Sequence, residues 1–94
     1  MRITRINTFQ AQAGAGDTLR DLIKSFLPMI RSSEGCRSCQ LLQNQDDPTQ
    51  IVVIEEWDSI DAHRAATSNI PADALQAAMK LLAGPPKGAY YSSD

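Results

Sequence analysis

One short run near the middle of the chain constrains the fold more than any other. Residues 51–59 read IVVIEEWDS and begin with four consecutive β-branched residues, a pattern typical of a strand. Because side chains alternate along a strand, Ile51, Val53, Glu55 and Trp57 share one face and the intervening residues occupy the other. Both faces begin apolar, which predicts a central strand covered on two sides. Such a strand carries Glu55 and Trp57 to the rim of the core.

The residues alone leave two interpretations of these polar groups open. In the first, Trp57 is an ordinary core residue and Glu55 is a solvated residue at the strand edge. In the second, both face a pocket. Asn7 presents the same choice, since it is a polar amide on a predicted first strand, residues 3–10. It is either a hydrogen-bonding residue at a strand end or a pocket residue.

Length and charge narrow the class of protein. The 94 residues suit one domain, spanning 1–94, and a chain of this size buries only about 60–65% of its unfolded surface. Oligomerisation would therefore add to a thin core. The net charge of -2 provides no basic surface for nucleic acid. The chain has no run of about 18 apolar residues and no signal-peptide core, so we expect a cytoplasmic protein without membrane contact.

Cys36 and Cys39 form a Cys-x-x-Cys motif, which in other settings marks a redox or zinc site. Here the motif runs from a helix end into a predicted strand. Side chains three residues apart on a strand point to opposite faces, so we expect the two thiols to diverge. The chain has no second cysteine pair and only one histidine. The sequence therefore predicts no metal site.

The remaining segments give the order β-α-β-β-α-α-β. The first helix starts at about Thr18 with Asp17 as its N-cap. Pro28 is expected to kink it or to end its regular part, and the helix ends near Ser33, before Gly35, a left-handed C-cap. The apolar face predicted for the last helix contains Leu75, Ala78, Met79 and Leu82. The other predicted elements are strands at 39–44, 50–57 and 87–92 and helices at 60–66 and 72–83.

This order predicts an α+β fold of the ferredoxin-like, split βαβ type, with a four-stranded antiparallel sheet and helices on one face. Strands one and three are then the central pair, which brings Asn7 and Trp57 onto the same sheet. The opposite sheet face carries Ile6, Val52 and Ile54 and has no helix left to cover it. We therefore expect a homodimer formed through this face.

Several segments resemble the antibiotic biosynthesis monooxygenase family of dimeric α+β barrels. They are SEGC at 33–36, similar to the family's Glu-Pro-Gly-Cys without the proline, DDP at 46–48, VIEEWDS at 53–59 and DA at 61–62. The resemblance covers nearly the whole chain. It implies a pocket between the sheet and the helices of each subunit.

The resemblance also implies a chemistry. Family members that oxygenate quinols or anthrones use neither metal nor flavin: the ionised aromatic substrate reduces dioxygen itself, and the protein removes the proton and stabilises anionic oxygen. A small aromatic substrate and dioxygen are the implied partners, and no cofactor is implied. Asn7 matches a pocket asparagine and Trp57 a pocket tryptophan, both suited to oxyanion stabilisation.

The chain departs from the family at the next helix. Many members carry a histidine where this chain has Ala66, whereas its one histidine is His63. His63 is either the proton acceptor or a surface residue, and Glu55 is the competing base if it is desolvated. The haem-degrading branch of the family has an axial histidine on the last helix, and residues 72–83 contain none, so no haem is implied.

Fold alone leaves other functions open. The alternatives are a small-molecule isomerase, a ligand-binding dimer without oxygen chemistry, and a stress-related or accessory dimer without turnover. An open, apolar pocket on which Asn7, Trp57 and His63 converge would favour chemistry. A pocket filled by side chains would favour a structural role.

Overall fold

The computed structural model describes residues 2–93 of the chain, which form one sheet and the helices packed on it. The elements, in chain order, are β1 Ile3–Gln10, α1 Gly16–Lys24, α2 Leu27–Arg31, β2 Cys36–Gln43, β3 Gln50–Trp57, α3 Ile60–Thr67, α4 Ala72–Lys80 and β4 Lys87–Tyr91. The predicted order of elements is confirmed, with the first helix divided in two.

The four strands form one antiparallel sheet in the order β2-β3-β1-β4. β1 and β3 are the central pair, and their register sets Ile3 opposite Trp57 and Asn7 opposite Val53. Directly opposed residues share a face. Asn7 and Trp57 therefore lie on one face, as predicted, and the α+β, ferredoxin-like fold is confirmed.

The helices cover only one face of the sheet. Ile51, Val53 and Leu19 are almost fully buried there. On the opposite face, which we call the open face, Ile6 and Ile54 are only half-buried. A single copy of the chain thus covers only one side of β3, because all the helices pack on the same face of the sheet. The prediction that β3 is covered on both sides is therefore wrong for a single copy.

The first helix differs from its prediction at its start and at its break. It begins at Gly16 with Ala15 as N-cap and without a side-chain cap, so Asp17 lies in the first turn. The break falls at residues 25–26, ahead of Pro28, where the Phe26 N–H bonds to the carbonyl of Ile23. Proline lacks the N–H that would continue the helical ladder, so the chain restarts as α2. Gly35 is left-handed, with φ of 85°, as predicted.

A β-bulge at the start of β2 corrects the prediction for the cysteines. β2 begins at Cys36, three residues earlier than predicted, and its register shifts between Cys36 and Ser38. Cys36 consequently lies opposite Trp57 and Cys39 opposite Glu55. The extra residue of the bulge turns Cys36 onto the same face of the sheet as Cys39, so both free thiols face the helices and do not diverge.

The helices after β3 are positioned by a cap. The Ser59 side chain accepts a hydrogen bond from the Ala62 N–H and starts α3. α4 ends at Lys80, earlier than predicted. Its predicted apolar face is only partly buried: Ala78 and Leu82 are in the core, whereas Leu75 and Met79 are about half exposed.

Candidate functional site

A cavity of about 190 Å³ lies between the sheet and the helices. Its wall is mostly apolar and includes Phe9, Ile23, Phe26, Ile30, Val53 and Ile70. Its polar groups include Arg5, Asn7, Glu55, Trp57 and His63. All four residues predicted from the sequence as site residues therefore border one space, which is open and not filled by side chains.

The carboxylate of Glu55 is the polar centre of this wall. Its side chain is only 4% exposed. Oε1 accepts a 2.8 Å hydrogen bond from Trp57 Nε1, and Oε2 accepts a 3.0 Å hydrogen bond from Asn7 Nδ2. The alternation of β3 and the β1–β3 register together place the three side chains on one face. The interpretation of Glu55 as a solvated edge residue is wrong, because Asn7, Trp57 and the His63 side chain of α3 surround the carboxylate.

Burial raises the pKa of Glu55 above its ordinary value, since desolvation penalises the charged form. Three groups oppose this effect: the hydrogen bond from Trp57, the positive charge of Arg5 and the hydrogen bond from Asn7. Burial is the largest of these influences. The site thus holds a carboxylate that is a stronger base than a surface glutamate and still has donors for its ionised form.

His63, on α3, is 6% exposed, so its interpretation as a surface residue is wrong. Its Nδ1 lies 2.7 Å from the Tyr90 hydroxyl, and its Nε2 lies 3.9 Å from Glu55 Oε1. The imidazole packs edge-on against the rings of both Trp57 and Tyr90. Burial, with the positive charges of Arg5 and Arg64, lowers the pKa of His63. The neutral imidazole is therefore favoured.

Three residues of this cluster were not identified from the sequence. The Arg5 guanidinium donates from Nε to Asn7 Oδ1 at 2.9 Å and lies 4.6 Å above the Tyr90 ring. A Cβ at Gly88 would collide with Arg5 and approach Asn7 Oδ1, so the bare backbone makes room for both. The alternation of side chains along β1 already placed Arg5 on the same face of the sheet as Asn7. For Tyr90 and Gly88 the missing information was the β1–β4 register.

The family is decided by the sequence match around these residues. The antibiotic biosynthesis monooxygenase family model matches residues 2–81, which is most of the chain and includes Asn7, Glu55, Trp57 and His63. The chain belongs to the antibiotic biosynthesis monooxygenase family. No curated protein matches its sequence.

Solved structures related to this antibiotic biosynthesis monooxygenase family member share its fold. Rv0793 from Mycobacterium tuberculosis is 21% identical, with 99% of this chain and 95% of that chain covered and a TM-score of 0.86. SnoaB from Streptomyces nogalater, described as a cofactor-independent oxygenase, is 19% identical over 98% and 92%, with a TM-score of 0.83. A conserved protein from Methanosarcina mazei is 16% identical over 100% and 94%, with a TM-score of 0.88.

In this family member the donor groups are arranged differently from the sequence-based expectation. The one N–H of the Trp57 indole donates its hydrogen bond to Glu55, whereas the expectation is a hydrogen bond from this group directly to a substrate oxyanion. Asn7 uses one of its two amide hydrogens in the same way. Within residues 2–93, no group of three or more His, Cys, Asp or Glu side chains is arranged to hold a metal ion. No helix in that range has the length and apolarity needed to cross a membrane.

Proposed function

We propose that this protein is a monooxygenase that uses dioxygen without a cofactor and oxidises a small hydroxylated aromatic compound. The observation that carries the proposal is the buried Glu55 carboxylate, held by two N–H donors at the wall of an apolar cavity. Family membership and the fold shared with a cofactor-independent oxygenase support it.

Glu55 is the proposed base and is preferred over His63. The two residues respond to burial in opposite directions: the pKa of Glu55 is raised, which makes it a better proton acceptor, while the pKa of His63 is lowered, which makes it a poorer one. Asn7 and Trp57 hold the two carboxylate oxygens in place. They act as positioning residues for the base.

The proposed reaction balances without an external reductant. Glu55 takes the proton of the substrate hydroxyl, and the electron-rich phenolate transfers one electron to dioxygen. The radical pair recombines by forming a C–O bond at a ring carbon that bears hydrogen, which gives a peroxide. Cleavage of its O–O bond leaves one oxygen on carbon as a quinone carbonyl, and the other oxygen departs as water with the two hydrogens lost from the ring position and the hydroxyl. The substrate supplies all four electrons.

The size of the cavity restricts the substrate. Its volume of about 190 Å³ is below the roughly 300–1,000 Å³ of pockets for drug-sized ligands. We therefore favour hydroquinones and naphthols, with one or two rings, over three-ring anthrones. The apolar wall suits the ring, and Glu55 provides the acceptor for its hydroxyl.

We also propose that two copies pair through the open face. Ile6, Val52 and Ile54 are half-buried there, and Leu42 and Tyr91 are 42% and 53% exposed. An apolar sheet face of this kind is costly to leave in water. Pairing through it leaves the cavity, on the opposite face, accessible in each copy.

Oxygen uptake tests the proposed function. Metal-free protein is given a panel of hydroquinones, naphthols and anthrones, and uptake is compared with that of Trp57→Phe and Asn7→Ala. Labelled dioxygen reports whether one oxygen atom enters the product. Uptake by the parent that falls in both variants supports the proposal. A folded parent that binds these compounds but consumes no oxygen contradicts it and favours the ligand-binding or isomerase alternative.

A further inference from the structure

Tyr90 lies outside the segment that the family model matches, residues 2–81, yet its hydroxyl contacts the centre of the site. β4 pairs with β1 so that Tyr90 is opposite Arg5, on the face that carries the cavity. The hydroxyl lies 2.7 Å from His63 Nδ1. The Arg5 guanidinium carbon lies 4.6 Å from the centroid of the Tyr90 ring, and this cation–π contact helps to hold the ring in place.

The 2.7 Å contact has two proton arrangements when His63 is neutral. In one, the Tyr90 hydroxyl donates to Nδ1, and the imidazole carries its hydrogen on Nε2. In the other, Nδ1–H donates to the tyrosine oxygen, and Nε2 presents a lone pair. The groups around His63 decide between them.

The charged and titratable groups around His63 favour the first arrangement. Glu55 on β3 faces Nε2 at 3.9 Å, so a hydrogen on Nε2 meets a negative oxygen, whereas a lone pair would meet like charge. Arg5 on β1 and Arg64 on α3 are both positive and oppose a second proton on the ring. Within residues 2–93, His63 is the one hydrogen-bond partner of the Tyr90 hydroxyl, which then has no other use for its hydrogen.

We propose that Tyr90 is a positioning residue that sets the tautomer of His63 by donating to Nδ1, so that the Nε2–H group faces the gap beside Glu55. The gap of 3.9 Å is too long for a direct hydrogen bond but is spanned by one oxygen about 2.8 Å from each atom. A substrate hydroxyl placed there donates to Glu55 and accepts from His63. Once Glu55 has taken the proton, the same Nε2–H stabilises the phenolate. His63 is then the donor to the oxyanion, a role that the family resemblance implied for Asn7 and Trp57.

The claim about turnover rests on the proposed function, but the claim about the tautomer does not. His63 is the one histidine of the chain, so its two ring nitrogens give unambiguous signals in a long-range proton–nitrogen NMR spectrum. Tyr90→Phe removes the hydroxyl and keeps the ring under Arg5. Tyr91→Phe is the matched control, because it removes a hydroxyl from the neighbouring residue of β4, which points away from His63 and the cavity, and it keeps the apolar ring on the open face.

Spectra are recorded above the ordinary histidine pKa of about 6.5, where the ring is neutral. We expect the parent and Tyr91→Phe to show protonated Nε2 and bare Nδ1. In Tyr90→Phe we expect the ratio of the two tautomers to fall on the order of tenfold, the effect of one hydrogen bond. Protonated Nδ1 in the parent, or an unchanged ratio in Tyr90→Phe, would overturn the proposal.

The kinetic measurement separates this inference from the proposed function. With a substrate that the parent oxidises, Tyr90→Phe should lower kcat on the order of tenfold and change KM little, because the affected donor acts on the ionised substrate. Tyr91→Phe should keep the parent kcat. A tautomer change in a protein that consumes no oxygen would support the role of Tyr90 and contradict the monooxygenase. A tautomer change with kcat unaffected would overturn the role of Tyr90 in turnover.

Discussion

The Trp57 indole donates its N–H to Glu55 Oε1 at 2.8 Å, two residues back along the same face of β3. Both side chains are almost completely buried, at 1% and 4% exposure. A buried indole N–H needs a hydrogen-bond acceptor, and here the acceptor is a carboxylate at the wall of the cavity. The contact joins a large apolar wall to the proposed base and makes the ionisation of Glu55 dependent on Trp57.

Trp57→Phe should raise the pKa of Glu55 further, because the lost hydrogen bond favours the charged form. The proposed base works when ionised, so the acid limb of the pH–rate profile should move to higher pH. Phenylalanine keeps most of the apolar wall, and the missing donor should cost about 1–3 kcal/mol of unfolding free energy. An acid limb at the parent position would show that Glu55 is not the group being titrated.

Gly88→Ala tests the space that Arg5 and Asn7 require. A Cβ there collides with the Arg5 guanidinium and comes within 2.8 Å of Asn7 Oδ1. Because the guanidinium is the far end of a flexible side chain, it can move aside at little cost in unfolding free energy, so we expect loss of the Arg5–Asn7 hydrogen bond and weaker oxygen uptake. Gly84→Ala is the matched control, since a Cβ there has no neighbour within 4 Å. Equal oxygen uptake by the two alanine variants would contradict the need for a bare backbone at Gly88.

Glu55→Gln should change the pH dependence of stability. The pKa of Glu55 is raised in the folded state above its ordinary value of 4.5. The protonated carboxyl group therefore makes its full contribution to the unfolding free energy below pH 4.5. The contribution is lost as the pH rises through the folded pKa, because the unfolded chain releases the proton first. The parent should therefore lose stability relative to Glu55→Gln across this window.

Unfolding free energies of the parent and Glu55→Gln, measured from acid to neutral pH, test that expectation. The amide offers only one acceptor oxygen to Asn7 and Trp57, which lowers the stability of the variant by a similar amount at every pH. The test is therefore how the difference in unfolding free energy between the parent and Glu55→Gln changes with pH. A difference that stays constant, or grows in favour of the parent toward neutral pH, would contradict the burial effect.

Much of this arrangement could be predicted from the sequence, and the exceptions have physical causes. Alternation along β3 placed Glu55 and Trp57 together, and the order of elements placed Asn7 on the neighbouring strand. The environment of Glu55 could not be obtained in this way, since burial depends on how α3 closes over the strand end. The partner of His63 required the register of β4, and the bulge at Cys36 has no local sequence signal that alternation detects.

Ile54→Lys tests pairing through the open face. A lysine at the centre of a dimer interface is desolvated without a partner, so we expect an aggregated or unfolded chain in size-exclusion chromatography and circular dichroism. Thr18→Lys, at an exposed position of α1, is the control and should behave as the parent does. A soluble, well-folded monomer of Ile54→Lys would contradict the sheet-to-sheet dimer.

The most direct measurement compares oxygen uptake by the parent and Glu55→Gln at saturating naphthol or hydroquinone. Binding is followed separately by the fluorescence of Trp57, the one tryptophan of the chain. Glutamine keeps the shape of the site but cannot take the proton, so we predict binding close to that of the parent and turnover lower by about 10²–10⁴-fold. Turnover by Glu55→Gln at the parent rate would contradict the assignment of Glu55 as the base.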